Sequence, residues 1–226
     1  MTIFSDPLNL IFLAIAAIAG FRLWQVLGKR SGAERPVPLT PFKMRPMATD
    51  LELEVSAPPP VRNTWQGHAV EGSALAIGLD ALAAHDVQYD SNQFLVWAKT
   101  THEAVLNAFA SGDIKVLSPL LSAQTLALFE KEIMRRKTEG ESAIFKFVSI
   151  KAAAIKRVFV DDKQAQIEVA FTSSVYSALK NAADGVISGN DKKAVEINEL
   201  WTFERDLKSA TEQWRLSETQ DLPQHA

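Results

Sequence analysis

The residues to weigh first for chemistry are four histidines, His68, His85, His102 and His225, and none stands four residues from another as a helical metal pair would. There are no cysteines, which removes thiol nucleophiles, disulfides and every cysteine-based zinc or iron–sulfur site. No Gly-rich phosphate loop, nucleophile elbow or paired-carboxylate motif occurs, and the only phenols are Tyr89 and Tyr176. His102 and Glu103 read as part of an exposed helix face. One charge is out of place: Glu199 falls on the apolar side of a strand whose other residues on that side are Val195, Ile197, Trp201 and Phe203. A carboxylate there is either a functional group in a pocket or the mark of an edge position, a bulge or a salt bridge. The residue set predicts no catalytic site, no metal and no cofactor.

The elements that must position Glu199 are legible from period. Residues 72–84 predict a short helix with Leu75, Leu79 and Leu82 on one face. Residues 94–110 predict a longer one, with Phe94, Trp97, Thr101, Val105 and Ala108/Phe109 about a turn apart. Gly112 is suited to a left-handed helix end and Asp113 to N-capping a turn over 114–117; Ser118-Pro119 then reads as a fresh helix start. Ser122 caps a helix carrying Leu126, Phe129 and Ile133 that ends in Arg135-Arg136-Lys137, cations placed at the negative end of the dipole or against an acidic partner. From residue 143 the period becomes two. Residues 144–159 form a long β-rich run, 161–163 a turn, and Ala165, Ile167, Val169 and Phe171 alternate with polar neighbours. The strand holding Glu199 follows, and residues 213–219 give a last strand with Trp214 and Leu216. Helices followed by strands with hairpin-scale connections predict an α+β fold, a curved antiparallel sheet wrapped over helices and able to close a conical pocket.

The N-terminal part differs in kind. Residues 8–27, from Leu8 through Phe21, Arg22 and Trp24 to Leu27, make an apolar run of about 20 residues, enough as a helix to cross a bilayer if Arg22 sends its guanidinium to the headgroups where Trp24 also sits. Ala17-Ile18-Ala19 loosely resembles a signal cleavage site, but residues 1–7 carry Asp6 and no Lys or Arg, so a retained anchor is favoured. Lys29, Arg30 and Arg35 follow the run, which orients the rest of the chain toward the cytoplasm. Seven of the ten prolines fall between Gly28 and Gly67, predicting an extended linker over 28–66. A helical arm over 67–93, a main domain over 94–220 and a tail over 221–226 complete the layout. The arm holds four acidic residues and no Lys or Arg, the wrong charge for an anionic membrane surface. A net charge of −3 over 226 residues argues against a nucleic-acid binder.

Three stretches carry a family resemblance. They are Phe94-Leu95 with Phe109-Ala110-Ser111-Gly112-Asp113 and Leu117-Ser118-Pro119-Leu120, then Gly185-Val186-Ile187-Ser188-Gly189-Asn190, then Leu200-Trp201-Thr202-Phe203-Glu204-Arg205-Asp206 with Trp214-Arg215-Leu216. The chain over about 67–220 resembles the Tim-44-like domain, the C-terminal part of the mitochondrial import-motor anchor, which bacterial TimA-type proteins carry behind a membrane helix. It departs from the family pattern at Lys180-Asn181, at Asn190 in place of the hairpin aspartate, and at residues 210–213 before Trp214.

The resemblance implies a nuclear-transport-factor-two-like cone with an apolar cavity and a role as a membrane-anchored adaptor. Its partner would be a DnaK-type chaperone or a membrane-protein client, at a bacterial inner membrane with the C-terminal domain cytoplasmic. On this chain it implies Trp97, Phe145, Phe171, Trp201, Phe203 and Glu199 as pocket lining for a lipid or apolar ligand, although aromatics at such spacing are more often plain core, and Leu75, Leu79 and Leu82 as the docking face of the arm, for which packing on its own domain or on a partner is favoured over a membrane surface. A ribosome receptor like the Mba-type relatives of the same fold is the alternative, and a pocket enzyme of the same cone fold, with Glu199 as its carboxylate, is a less favoured one. Residues 94–220 hold seventeen Lys/Arg and seventeen Asp/Glu, so a basic face for that role needs clustering of Arg135, Arg136, Lys137, Lys151, Lys156 and Arg157.

Overall fold

The computed structural model describes residues 64–209 and 213–223. The expected membrane helix with Leu8, Phe21, Arg22, Trp24 and Leu27, the linker up to residue 63 and most of the turn before Trp214 lie outside the described residues. Among the described residues no helix is long and apolar enough to cross a membrane.

Among the described residues four helices precede four strands: α1 (Ala74–His85), α2 (Ser91–Ser111), α3 (Ile114–Leu120), α4 (Ala123–Thr138), β1 (Ser142–Val160), β2 (Gln164–Lys180), β3 (Val186–Asp206) and β4 (Arg215–Asp221). The strands form one antiparallel meander in the order β1-β2-β3-β4. Helix starts are set by short polar side chains that accept the orphan N–H groups of the first turn: Ser73 from Ala76, Asp90 from Gln93, Asp113 from Lys115 and Val116, and Ser122 from Thr125. Gly112 closes α2 at φ 72°, a left-handed conformation that spares it a Cβ penalty. Ser118-Pro119 does not start a new helix. Pro119 sits near the end of α3, where its missing N–H removes one bond while the Leu121 N–H still reaches the Leu117 carbonyl, so the turn continues through it.

Burial along β2 alternates without a break from Ala165 to Val175, the signature of a sheet packed on one face. β1 shifts register against β2 at three places, between Phe147 and Ser149, Ile150 and Ala152, and Ile155 and Arg157. Such irregularities bend a long strand and increase its twist, which lets the sheet curl over the helices. The turn between β2 and β3 is at 181–185, where the Asn181 side chain accepts from the N–H groups of Ala183 and Gly185. Asn190 therefore lies inside β3, at an irregularity where it accepts from Lys192 and Lys193, instead of in the hairpin turn. Its neighbour Gly189, at φ 78°, lies so close to β2 that a Cβ would come within 2.2 Å of the Ser177 carbonyl oxygen.

α1 is no free arm. Leu79 and Leu82 are wholly buried in the same core as Val105, Phe171 and Trp201, with Leu75 packed partly against it. α1 approaches β1 so closely that a Cβ on Gly78 would sit 2.9 Å from the Val158 carbonyl oxygen. The apolar stripe predicted as a docking face is spent inside the domain, because burying it against β1 removes more apolar surface from water than leaving it exposed. The C-terminal end of α1 is pinned as well: Asp86 accepts from Arg205 of β3 at 2.9 Å, and the guanidinium lies over the Trp214 ring.

Candidate functional site

The inward residues of β2 and β3 form matched rungs: Val169 opposite Trp201, Phe171 opposite Glu199 and Ser173 opposite Ile197. α2 lies over them and lowers His102 onto the middle rung. The imidazole stacks on Phe171 with centroids 4.3 Å apart, lies 4.4 Å from Trp201 and meets the edge of Phe147 of β1. His102 Nε2 is 3.0 Å from Glu199 Oε2. Of the two ring nitrogens Nε2 is the one that meets the carboxylate, and Nδ1 is buried without a protein partner. His102 is 0% exposed and Glu199 5%. Isolating either group there would be costly, and the pair is how each tolerates burial.

The expected exposed face at His102 is thus overturned, and the reason is a small rotation. The buried residues of α2 run Phe94, Ala98, Thr101, His102, Val105 and Ala108, so the inward stripe is centred on Ala98 and not on Trp97. His102, four residues beyond Ala98, turns inward while Trp97 moves to the flank. Of the readings open for Glu199, a salt bridge is the one observed, and its partner is His102.

Glu199 has a second neighbour. Asp221, the last residue of β4, is its cross-strand partner. Asp221 is exposed as a residue, yet partial withdrawal of its carboxyl from water, and then the charge of Glu199, push its pKa up to about 7. A histidine, an acid and a second acid therefore run from the core to the sheet margin. Among the described residues no group of three or more His, Asp or Glu is placed to hold a metal.

The predicted aromatic lining divides into two groups. Phe171 and Trp201 belong to the His102 cluster, while Phe203 and half-buried Trp97 pack with Phe94 and Trp214 around the other end of the core. Phe145 is half-buried on β1 and it is Phe147, two residues along, that reaches His102. Phe171, Trp201 and Phe203 are at most 1% exposed and serve as core. Burial also raises the Tyr89 hydroxyl to about 12, leaving that phenol neutral.

The basic triplet at the end of α4 has inward work. Arg136 is buried, donates to the carbonyl of Phe109 at 2.6 Å and stacks over that ring, adding a strong donor to a carbonyl in the last turn of α2 that also accepts from the Gly112 N–H. Arg135 bonds to Glu132, Glu139 and Glu141. Lys151 pairs with Glu196 and Arg157 with Glu168. Sequence reasoning missed the structural use of Arg136 and Arg205, since nothing in a linear pattern distinguishes a buried guanidinium from a solvated one.

A helical layer on an antiparallel meander, with a buried acid–imidazole pair, defines an α+β domain. The family model for the Tim44-like domain matches residues 75–221, and the chain belongs to that family. No curated protein sequence matches the chain. Among solved structures, the intermembrane space region of the chloroplast protein ARC6 aligns at 11% identity and TM-score 0.42, covering 57% of this chain and 97% of that one. A conserved protein from Planctomyces limnophilus aligns at 14% identity and TM-score 0.32, covering 58% and 94%. A proposed dehydratase of the NTF2-like family from Streptomyces avermitilis aligns at 14% identity and TM-score 0.31, covering 55% and 94%.

Proposed function

We propose that this protein is a non-catalytic, membrane-tethered adaptor: the domain over residues 75–221 holds a protein partner, and residues 8–27 with the proline-dense segment behind them keep it near a bacterial inner membrane, facing the cytoplasm. The observation that carries the reading is family membership across residues 75–221. The apolar run and tether of the sequence supply the membrane half. The partner is a DnaK-type chaperone or an unfolded membrane-protein client. Leu75, Leu79 and Leu82 take no part in docking, being spent on the core. Of the aromatic set, Trp97 and Phe145 keep exposed surface and are where a lipid or another apolar group would be met. The ribosome-receptor alternative is weakened by the cations it needs: Arg136 is buried, and Arg135, Lys151 and Arg157 are bound to carboxylates of the same domain.

The test is a pull-down from detergent-solubilised membranes with the full chain and with a chain lacking residues 1–66. Both should retain the same protein partner, and only the full chain should fractionate with membranes. A folded domain that retains no partner would sink the adaptor reading; salt-sensitive co-sedimentation with ribosomes would replace it with the alternative.

A further inference from the structure

The outer side of α1 is apolar although it faces water. Leu79 and Leu82 point into the core, while Ala74, Ile77, Asp80, Ala81 and Ala84 are exposed. Val70, Ile77 and Val96 are 78%, 62% and 64% exposed, more than any large hydrophobic residue outside 64–98. A helix that is hydrophobic nearly all round is ordinarily covered on both sides. The same stretch is acidic: residues 64–98 hold Glu71, Asp80, Asp86 and Asp90 and no Lys or Arg. Arg205 answers Asp86, and among the described residues no cation pairs with the other three.

The described chain also begins on this side. Thr64, its first residue, donates its hydroxyl to Asp80 at 3.3 Å, so the segments before it enter from beside the outer face of α1. Two of those segments are in reach, and their charges differ in sign. Residues 48–63 carry Asp50, Glu52 and Glu54 against Arg62 alone. Residues 35–47 carry Arg35, Lys43 and Arg45, no acid, and the apolar Val37, Leu39, Phe42, Met44 and Met47. An acidic surface repels the first and attracts the second. From Met47 to Thr64 is 17 residues, a coil reach of about 21–25 Å, against about 18 Å for the length of twelve-residue α1. Pro36, Pro38, Pro41 and Pro46 already restrict the backbone of residues 35–47, so less entropy is lost when that segment is held.

We infer that residues 35–47 of this chain dock on the outer face of α1, with their cations toward Glu71 and Asp80 and their apolar side chains over Ile77. The contact shields exposed apolar surface from other chains. It depends neither on the identity of a partner nor on the membrane half of the adaptor reading.

The test exploits the absence of native cysteines. In the full chain, held in nonionic detergent micelles, Thr40→Cys is combined with Ala81→Cys on the outer face of α1 or, as a control, with Ala127→Cys, exposed on α4. Disulfide formation under a mild oxidant is followed by mass spectrometry, which separates bonds within a chain from bonds between chains. Docking should close the first pair about tenfold faster than the control or more. Arg35→Glu/Lys43→Glu/Arg45→Glu, which alters none of the described residues and leaves the domain folded, should return it to the control rate. Equal rates in the two pairs, or a fast rate that survives the charge reversal, would overturn the inference. Bonds formed chiefly between chains would overturn it too, and assign the face to a second copy.

Discussion

Removing the acid and the imidazole one at a time and then together tests whether they act as a unit. In His102→Leu, the Glu199 side chain, 7% exposed, would stay in the core beside Asp221 without its donor. Breaking a buried pair this way costs about 3–5 kcal/mol. In Glu199→Leu, Nε2 of a fully buried imidazole would lose its partner, at about 1–3 kcal/mol. The double variant removes both polar groups and leaves leucines in an aromatic surround, so it should cost only about 0–2 kcal/mol. The coupling energy of the cycle should then be at least about 2 kcal/mol, the double variant being more stable than His102→Leu. Urea denaturation followed by tryptophan fluorescence is suited to this, because Trp201 lies 4.4 Å from the imidazole. Costs that add within about 0.5 kcal/mol would refute the claim that the two side chains compensate one another's burial.

Three further outcomes are expected. Asp221 has a folded pKa raised to about 7, so the native state holds a proton that the unfolded chain releases near 4, and stability contributed by the protonated form is lost as pH rises from about 4 through 7. Because the residue is exposed, the effect should be held by solvent screening to about 1 kcal/mol; Asp221→Asn should recover that much at pH 8 and nothing at pH 4, and equal effects at both pH values would contradict it. Gly189→Ala should destabilise by about 2 kcal/mol or more in thermal melts, since its Cβ would come within 2.2 Å of the Ser177 carbonyl oxygen at a φ of 78°. Arg205→Met should cost about 2–4 kcal/mol by leaving Asp86 without its counter-charge, and Asp86→Asn in the same chain should return part of it; no recovery would mean the ion pair is incidental.

Much of the architecture follows from the chain alone. Period changes mark the passage from helices to strands, and the capping residues Ser73, Asp90, Asp113 and Ser122 with Gly112 fix helix ends through bonds that span three residues or fewer. The oddity of Glu199 is legible too, since alternation in a strand is a local property. Its partner is not. His102 is 97 residues away, and whether it faces water or the core turns on a rotation of α2 by less than one residue step, set by how Ala98 and Val105 fit the sheet.

Arg136 and Arg205 make the same point from the other side. As sequence they are a helix-end cation and a strand charge. As structure one satisfies a carbonyl of another helix and the other pins Asp86 beneath Trp214. By itself the sequence determined the order of elements, several helix ends, the family, and the exclusion of cysteine chemistry. Only tertiary packing decided that the leucine stripe of α1 is buried in this domain's core, that Arg135 and Arg136 of α4 are engaged within the domain, and that His102 and Glu199 meet in one interior. Propensity and capping act over a few residues, whereas a site is made by groups far apart in the chain, each of whose burial is tolerable only because the others are there.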